Sequence, residues 1–251
     1  MVSNNKTIAG ALLFVGGLQF IVAMIVAEAV YPNYSVSGNY ISDLGVWNKP
    51  SAAIFNPSIF LFGSMILVSA YFIQLEFRRG AITGLFVLAG LGPIGVGIFP
   101  ENTFLVNGVP VLHSIAAIIS FIFGGIAAIT SYKITRGPFR YFSVILGVAT
   151  LLALFLFAAT GPDYLGIGVG GMERMIVYPN LIWTIGMGAN LLPSFNKQHE
   201  NLPIASPARR LVTKLYPKAS RGNAGFGSLG FYLFHRLEQS FLHHSIKNLH
   251  T

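Results

Sequence analysis

Few residues of this sequence could do chemistry, and they fall near the ends of long apolar stretches. His113 follows Pro110, a residue suited to a helix start, so it lies in the first turn of a predicted helix. A helix N-terminus disfavours the protonated imidazole, so His113 could act as a base or a metal ligand. Glu28, Asp43 and Glu101 could supply an acid or further ligands. One hypothesis is therefore an enzyme, a hydrolase or transferase acting on lipid headgroups, with these four residues as catalytic candidates.

The spacing around these residues matches no metal-binding or nucleophile motif. A zinc site needs three or four converging ligands, but His113 belongs to no HxxxH or HExxH pair, and the chain has no cysteine. Ser42 and Ser114 stand beside Asp43 and His113, yet neither lies in a GxSxG elbow. The sequence therefore predicts no metal and no cofactor, and it leaves the catalytic residues undecided.

The elements that must position these residues are membrane-spanning helices. The chain is 53% hydrophobic and 10% charged, against roughly 25% charged in a typical soluble domain. Apolar stretches of about 20 residues are long enough to cross a hydrocarbon core of about 30 Å. Asn56 and Pro57 fit the cap and first residue of the second stretch. The prediction is an all-α, six-helix transmembrane bundle over residues 1–194, with spans at about 7–30, 57–77, 82–99, 111–132, 143–160 and 172–192.

Charge is sorted by sign between the connectors of these spans. The second and fourth connectors are basic, and the first, third and fifth are acidic. Because short loops rich in Lys and Arg stay on the cytoplasmic side, both termini are predicted to be cytoplasmic in a multi-pass protein of the cell membrane. The bases of the inner connectors are Arg78, Arg79, Lys133, Arg136 and Arg140; the acids of the outer ones are Asp43, Glu101, Asp163 and Glu173.

The polar residues of the outer connectors and helix ends share one membrane level. Glu28 lies inside the first span, about one turn before its exit, where an ionised carboxylate needs a partner or a proton; Arg174 is a plausible partner. We expect a polar outer-face pocket that binds a small polar ligand or lipid headgroup, or supports a membrane partner or a second copy of the chain. The expected ligand-binding residues are Asn39, Asp43, Asn56, Glu101, Asn102, His113, Glu173 and Arg174. Transport is disfavoured, since no charged relay continues through the spans.

Residues 195–251 have a different composition. They contain eight bases and two acids, a net charge of +6 out of +8 for the whole chain. Apolar residues at helical spacing predict an interfacial amphipathic helix at about 226–249. A basic cytoplasmic segment is attracted to anionic lipid headgroups, and no nucleic-acid-binding module accompanies the charge. The predicted partner of this tail is therefore the bilayer and not nucleic acid.

Several motifs of residues 7–194 together resemble a known family. They are YPNYSVSGNYISDLG after the first span, Asn56 at the second, GIFPEN at the end of the third, His113 at the fourth and GGMERMIVYP at the sixth. This combination is similar to the prokaryotic, often archaeal, membrane proteins called domain of unknown function 998. The resemblance implies a six-helix membrane bundle, but it carries no activity and no catalytic residues to transfer.

Overall fold

The computed structural model describes residues 4–193, apart from the side chains of Pro162 and Asp163. The predicted helix at 226–249 and its contact with headgroups lie outside the described residues. Within them, the chain is all-α, with three short 3-10 helices and a two-stranded hairpin, β1 (Leu105–Val106) with β2 (Val109–Pro110), between α3 and α4. The six long helices are α1 (Asn4–Val30), α2 (Ala52–Phe77), α3 (Gly80–Ile98), α4 (Val111–Thr130), α5 (Phe139–Ala159) and α6 (Gly168–Leu191).

The start of α2 differs from the sequence prediction. The helix begins at Ala52, so Pro57 lies inside it and Asn56 does not cap it. The Asn56 side chain is buried, and its Nδ2 donates a hydrogen bond to the carbonyl of Gly45 at 2.9 Å. The interpretation of Asn56 as a cap was therefore wrong, because a tertiary contact with the preceding loop uses its amide. Pro57 is the sixth residue of this helix, past the first turn, so the helix lacks the backbone hydrogen bond that another residue there would donate to the carbonyl of Ala53.

Five of the long helices in the described part of the chain, α1 to α5, are long and apolar enough to cross a membrane. The exception is α6, which carries Glu173, Arg174 and Asn180 within its 24 residues. Its length of about 36 Å at ~1.5 Å per residue still matches a bilayer core. Burial explains its composition, since eleven of its residues, including both charged ones, are shielded by the other helices.

Each helix packs against the next in the chain, and α6 closes the ring by packing against α1. Close approach is made possible by facing glycines, since small residues let helix backbones touch. At the contact of α1 with α6, a Cβ added to Gly188 would lie 2.7 Å from the carbonyl oxygen of Gly10. Because consecutive helices alternate in direction around this ring, the first, third and fifth connectors meet at one end, here called the acidic end.

Candidate functional site

The first connector, residues 31–51, folds back over the acidic end and contacts the third connector and the start of α6. The Ser42 hydroxyl donates to Glu101 at 2.9 Å, and the backbone N–H of Trp47 donates to the Asn102 side chain at 3.2 Å. On the other side, the N–H of Gly170 donates to the carbonyl of Ser37 at 2.9 Å. Residues that the sequence places at one membrane level are thus in direct contact, between the first connector, the third connector and the first turn of α6.

Arg174 forms the anchor of this connector. Its Nη2 lies 2.5 Å from Oε1 of Glu28, the single ion pair among residues 4–193, and 2.7 Å from the Tyr34 hydroxyl. Its Nη1 donates to the carbonyls of Val36 at 2.7 Å and Gly170 at 2.9 Å. The Arg174 side chain is 6% exposed and that of Glu28 is 21% exposed. This guanidinium therefore joins α1, α6 and the first connector through its two Nη groups, while its Nε has no hydrogen-bond partner among the described residues.

The two carboxylates nearest to Arg174 along the connector also have protein partners. Asp43 accepts hydrogen bonds from the Asn39 side chain at 3.0 Å and from the Tyr40 N–H at 2.9 Å, which closes a local turn. Glu173, on α6, accepts a hydrogen bond from the backbone N–H of Ile41. Most of the predicted ligand-binding residues are thus engaged in holding the connector in place.

The hydroxyl of Tyr34, in the first connector, is also occupied by protein groups. Its hydroxyl contacts both Arg174 and the carbonyl of Tyr40, the latter at 3.0 Å. Burial raises the pKa of Tyr34 to about 12, although the hydrogen bond and charge of Arg174 oppose the shift. The phenol therefore stays protonated and able to donate.

Glu101 lies in the third connector, and His113 follows that connector in α4. Burial raises the pKa of Glu101 above its ordinary value; the Ser42 hydrogen bond and His113 oppose this shift, and the charge of Asp43 adds to it. His113 is buried in the first turn of α4, as predicted, and its Nδ1 lies 3.0 Å from the carbonyl oxygen of Phe99. A carbonyl can only accept, so Nδ1 carries a proton and donates to it, which leaves Nε2 free of this contact.

A cavity of about 70 Å³ lies between the helices, beneath the first connector. Its wall is mainly apolar, with polar groups from Ser42, His113, Ser120, Glu173 and Asn180. The Oδ1 of Asn180 is buried and has no hydrogen-bond partner within the described residues. The apolar wall includes Phe20, Ile41, Phe55, Ile59, Phe62, Pro93, Val96, Phe121, Val177 and Leu181.

The structure separates the predicted ligand-binding residues into three groups. His113 and Glu173 line the cavity. Asn39 and Asp43 bond within the first connector. The remaining four bind connectors to one another or to the helices: Asn56, Glu101, Asn102 and Arg174. Among the catalytic candidates, Glu28 is paired with Arg174, and no hydrogen bond joins His113 to a carboxylate in residues 4–193.

Sequence reasoning missed the aromatic part of the cavity wall. Phe20 of α1 lies between Phe55 and Phe62 of α2, with ring centroids 5.7 and 5.4 Å away. No sequence signal could have found them, because phenylalanines facing lipid look the same as those facing a cavity. Asn180 carried a weak signal, as an amide in the middle of an apolar span.

No metal site is formed by the described residues, in which no three His, Asp or Glu side chains come together to hold an ion. His113 is the only histidine among residues 4–193. The nearby carboxylates are bonded to backbone N–H groups, to Ser42 or to Arg174.

Comparison with known proteins gives one match. A family model described as "Protein of unknown function (DUF998)" matches residues 14–190, which is more than half of the chain and covers nearly all of the helical bundle. No curated protein and no solved structure matches the chain.

Proposed function

This chain belongs to the DUF998 family of proteins of unknown function, and from that premise we propose that it is a membrane protein that binds the polar end of an amphipathic lipid in the cavity between its helices. The polar end contacts His113 and Glu173, the first carbons of the apolar chain lie against the phenylalanine rings of α1 and α2, and the rest of that chain lies outside the cavity, which is too small for a whole lipid. The observation that carries the proposal is the cavity itself, an apolar space with a few convergent polar groups.

The membrane arrangement proposed with this function has six spans and places the acidic end outside. The sixth span is α6, whose charged residues are compensated by Glu28 and by the first connector. The basic connectors are placed on the cytoplasmic side, because short loops rich in Lys and Arg stay on that side. The cavity then lies in the outer half of the bundle, near the headgroups of the outer leaflet of the cell membrane.

The chemistry of the cavity narrows the ligand class. Two of its polar groups offer acceptors: the Glu173 carboxyl and the Asn180 Oδ1 that no described residue contacts by a hydrogen bond. Buried acceptors left unpaired cost about 1–3 kcal/mol each, so a ligand that donates hydrogen bonds gains most there. A lipid with a hydroxyl or amino group fits this requirement, whereas a phosphate, which only accepts when ionised, does not.

Binding is favoured over hydrolysis by the contacts of the candidate residues. A base needs hydrogen-bond reach to the proton that it abstracts and is often oriented by a second group. His113 is oriented by a backbone carbonyl, and Glu28, Asp43 and Glu101 are each engaged elsewhere. Ser42, which lines the cavity, donates to Glu101 and not to an imidazole.

The test is mass spectrometry of lipids retained by the purified full-length protein, comparing wild type with Ala117→Leu. Ala117 lines the cavity, so leucine there fills space that a ligand needs. The matched control is Ala158→Leu, the same change at an exposed position of α5. We expect a hydroxyl- or amino-bearing lipid to be retained by wild type and control and lost from Ala117→Leu.

A second variant, His113→Ala, tests the polar contact. It should reduce retention of that lipid without changing the retained bulk phospholipids. Identical lipid profiles in wild type and both cavity variants would overturn the proposal. Release of a headgroup from labelled phospholipid by wild type, abolished in His113→Ala, would instead favour the enzyme.

A further inference from the structure

The opposite, basic end of the bundle contains a cluster of cations that the cavity does not involve. The connector between α4 and α5 carries Lys133 and Arg136, and the first turn of α5 carries Arg140, with no acid between residues 131 and 143. Among residues 4–193 the one ion pair is that of Glu28 with Arg174, so these three cations have no carboxylate partner there. Lys133 and Arg136 are exposed and Arg140 is half-buried.

Arg140 is held in a defined position by aromatic rings. Its guanidinium carbon lies 3.8 Å from the centre of the Tyr132 ring and 5.8 Å from that of Tyr141. The two rings contact each other edge to face at 5.8 Å. Stacking uses the face of the guanidinium and leaves its in-plane N–H groups free to bind oxygen atoms. The Nε of Arg140 is buried and has no hydrogen-bond partner among the described residues.

The backbone fixes the rest of the connector beside this arginine. Both backbone polar groups of Arg136 bond to the Asn190 side chain, at 3.4 Å from its N–H and 3.1 Å to its carbonyl. Helix α5 begins at Phe139 without a side-chain cap, so its N-terminal dipole adds partial positive charge at this point. A fixed connector, a helix N-terminus and an oriented guanidinium together favour an anion with several oxygen atoms.

The surface next to Arg140 is apolar and faces outward from the bundle. Phe142 is 58% exposed and Ile145 is 60% exposed on the first two turns of α5. Tyr141, at 59%, lies between this surface and the cations, as interfacial aromatics do at the headgroup level. An anion bound here would therefore have its apolar chains alongside α5, which distinguishes a phospholipid from a free phosphate ion.

We propose that Arg140, with Lys133, Arg136 and the two tyrosines, forms a binding site for the headgroup of an anionic phospholipid. The phosphate lies against the guanidinium of Arg140, and the acyl chains follow the exposed face of α5 at Phe142 and Ile145. This site is distinct from the cavity at the acidic end, and its ligand is of opposite chemistry.

The experiment is native mass spectrometry of the full-length protein in detergent, titrated with phosphatidylglycerol or phosphatidylcholine. We compare wild type, Arg140→Gln and the matched control Arg79→Gln, which removes an exposed arginine from the other basic connector. Arg140→Gln should weaken retention of phosphatidylglycerol by about fivefold or more, the factor that one base near an anionic surface contributes. Arg79→Gln should change it by less than about twofold, because position 79 lies outside the site.

A third variant separates the aromatic support from charge. Tyr132→Leu keeps every cation but removes the ring beneath Arg140, so it should also reduce selectivity for phosphatidylglycerol over phosphatidylcholine. If circular dichroism shows that Arg140→Gln has lost helical content, Tyr132→Leu replaces it as the variant that tests the site. Addition of glycerol 3-phosphate should not displace the lipid, since the acyl chains supply part of the binding.

Three results would overturn the site. Equal loss in Arg79→Gln and Arg140→Gln would mean unspecific attraction to a basic surface. Unchanged selectivity in both Arg140→Gln and Tyr132→Leu would mean that the basic tail alone retains the lipid. Displacement by glycerol 3-phosphate would mean that the ligand is a free phosphate compound.

Discussion

Replacing Arg174 by glutamine should loosen the first connector from the acidic end of the bundle. In the native protein this side chain donates hydrogen bonds to Glu28, Tyr34, Val36 and Gly170. Glutamine is shorter and uncharged, so it cannot reach all of these acceptors, and Glu28 loses its counter-ion. Both the ion pair and the backbone contacts of residues 34–39 are then lost together.

The magnitude follows from burial. Removing one partner of a buried ion pair costs about 3–5 kcal/mol, because the other charge is left without compensation. The Glu28 side chain is 21% exposed, so the lower end, about 3 kcal/mol, applies. Glu28→Gln should cost less, about 1–2 kcal/mol, since Arg174 keeps Tyr34, Val36 and Gly170 as acceptors.

Hydrogen exchange measured by mass spectrometry on peptides covering residues 31–51 is the appropriate assay. A loss of about 3 kcal/mol in local stability raises exchange roughly 100-fold for amides that exchange by opening of this segment. The amides to follow are those of Asn39 and Ile41, which are hydrogen-bonded in the closed connector. Exposed Arg79→Gln is the control and should leave both unchanged.

The reasoning is refuted if Arg174→Gln exchanges like the Arg79 control. It is also refuted if Glu28→Gln costs as much as Arg174→Gln. That second result would mean that the ion pair alone, and not the backbone contacts of Arg174, holds the connector.

Three further predictions concern packing and titration. Gly188→Ala should lower the unfolding temperature in detergent, because the clash with Gly10 reduces the free energy of unfolding by about 1–3 kcal/mol. The control is Gly84→Ala, where a Cβ meets nothing within 4 Å; this change should leave the free energy of unfolding the same or raise it. Glu101 binds its proton more tightly in the folded state, so thermal stability should fall as pH rises through and above the ordinary carboxyl range. Glu101→Gln should reduce this fall; an unchanged pH profile would contradict it. Tyr34→Phe should cost about 1 kcal/mol and remove a phenol that ionises at a pH of about 12 from the ultraviolet titration.

The number and order of the helices could be predicted from the sequence, and their lengths only to within about five residues. Apolar stretches with turn residues between them mark helices wherever lipid or protein surrounds them, and α4 begins at Val111 as Pro110 indicated. Helix α5 begins at Phe139 and not at the predicted residue 143. The sequence analysis assigned Arg140 to a connector because of its charge, yet this residue lies in the first helical turn. Local patterns specify helices well and their ends less well.

The pairing of Glu28 with Arg174 was partly predictable. Both residues share a membrane level, and an ionised carboxylate inside a span needs a partner. That they meet depends on α6 packing against α1, which is a property of the closed ring and not of either segment. The packing of the helices into a closed ring also brings Asp43, Asn56 and Glu101 to positions where they hold the connectors in place.

The sequence by itself determined that this is a helical membrane protein with polar residues gathered at one end and bases at the other. Only the tertiary structure decided which of them line a cavity, because in a membrane the outward face of a helix is as apolar as its inward face. Hydrophobic periodicity therefore cannot tell Phe20 or Phe62, beside the cavity, from Phe155, which is 66% exposed. Three-dimensional packing makes that distinction, and with it separates the residues that line the cavity from those that hold the connectors in place.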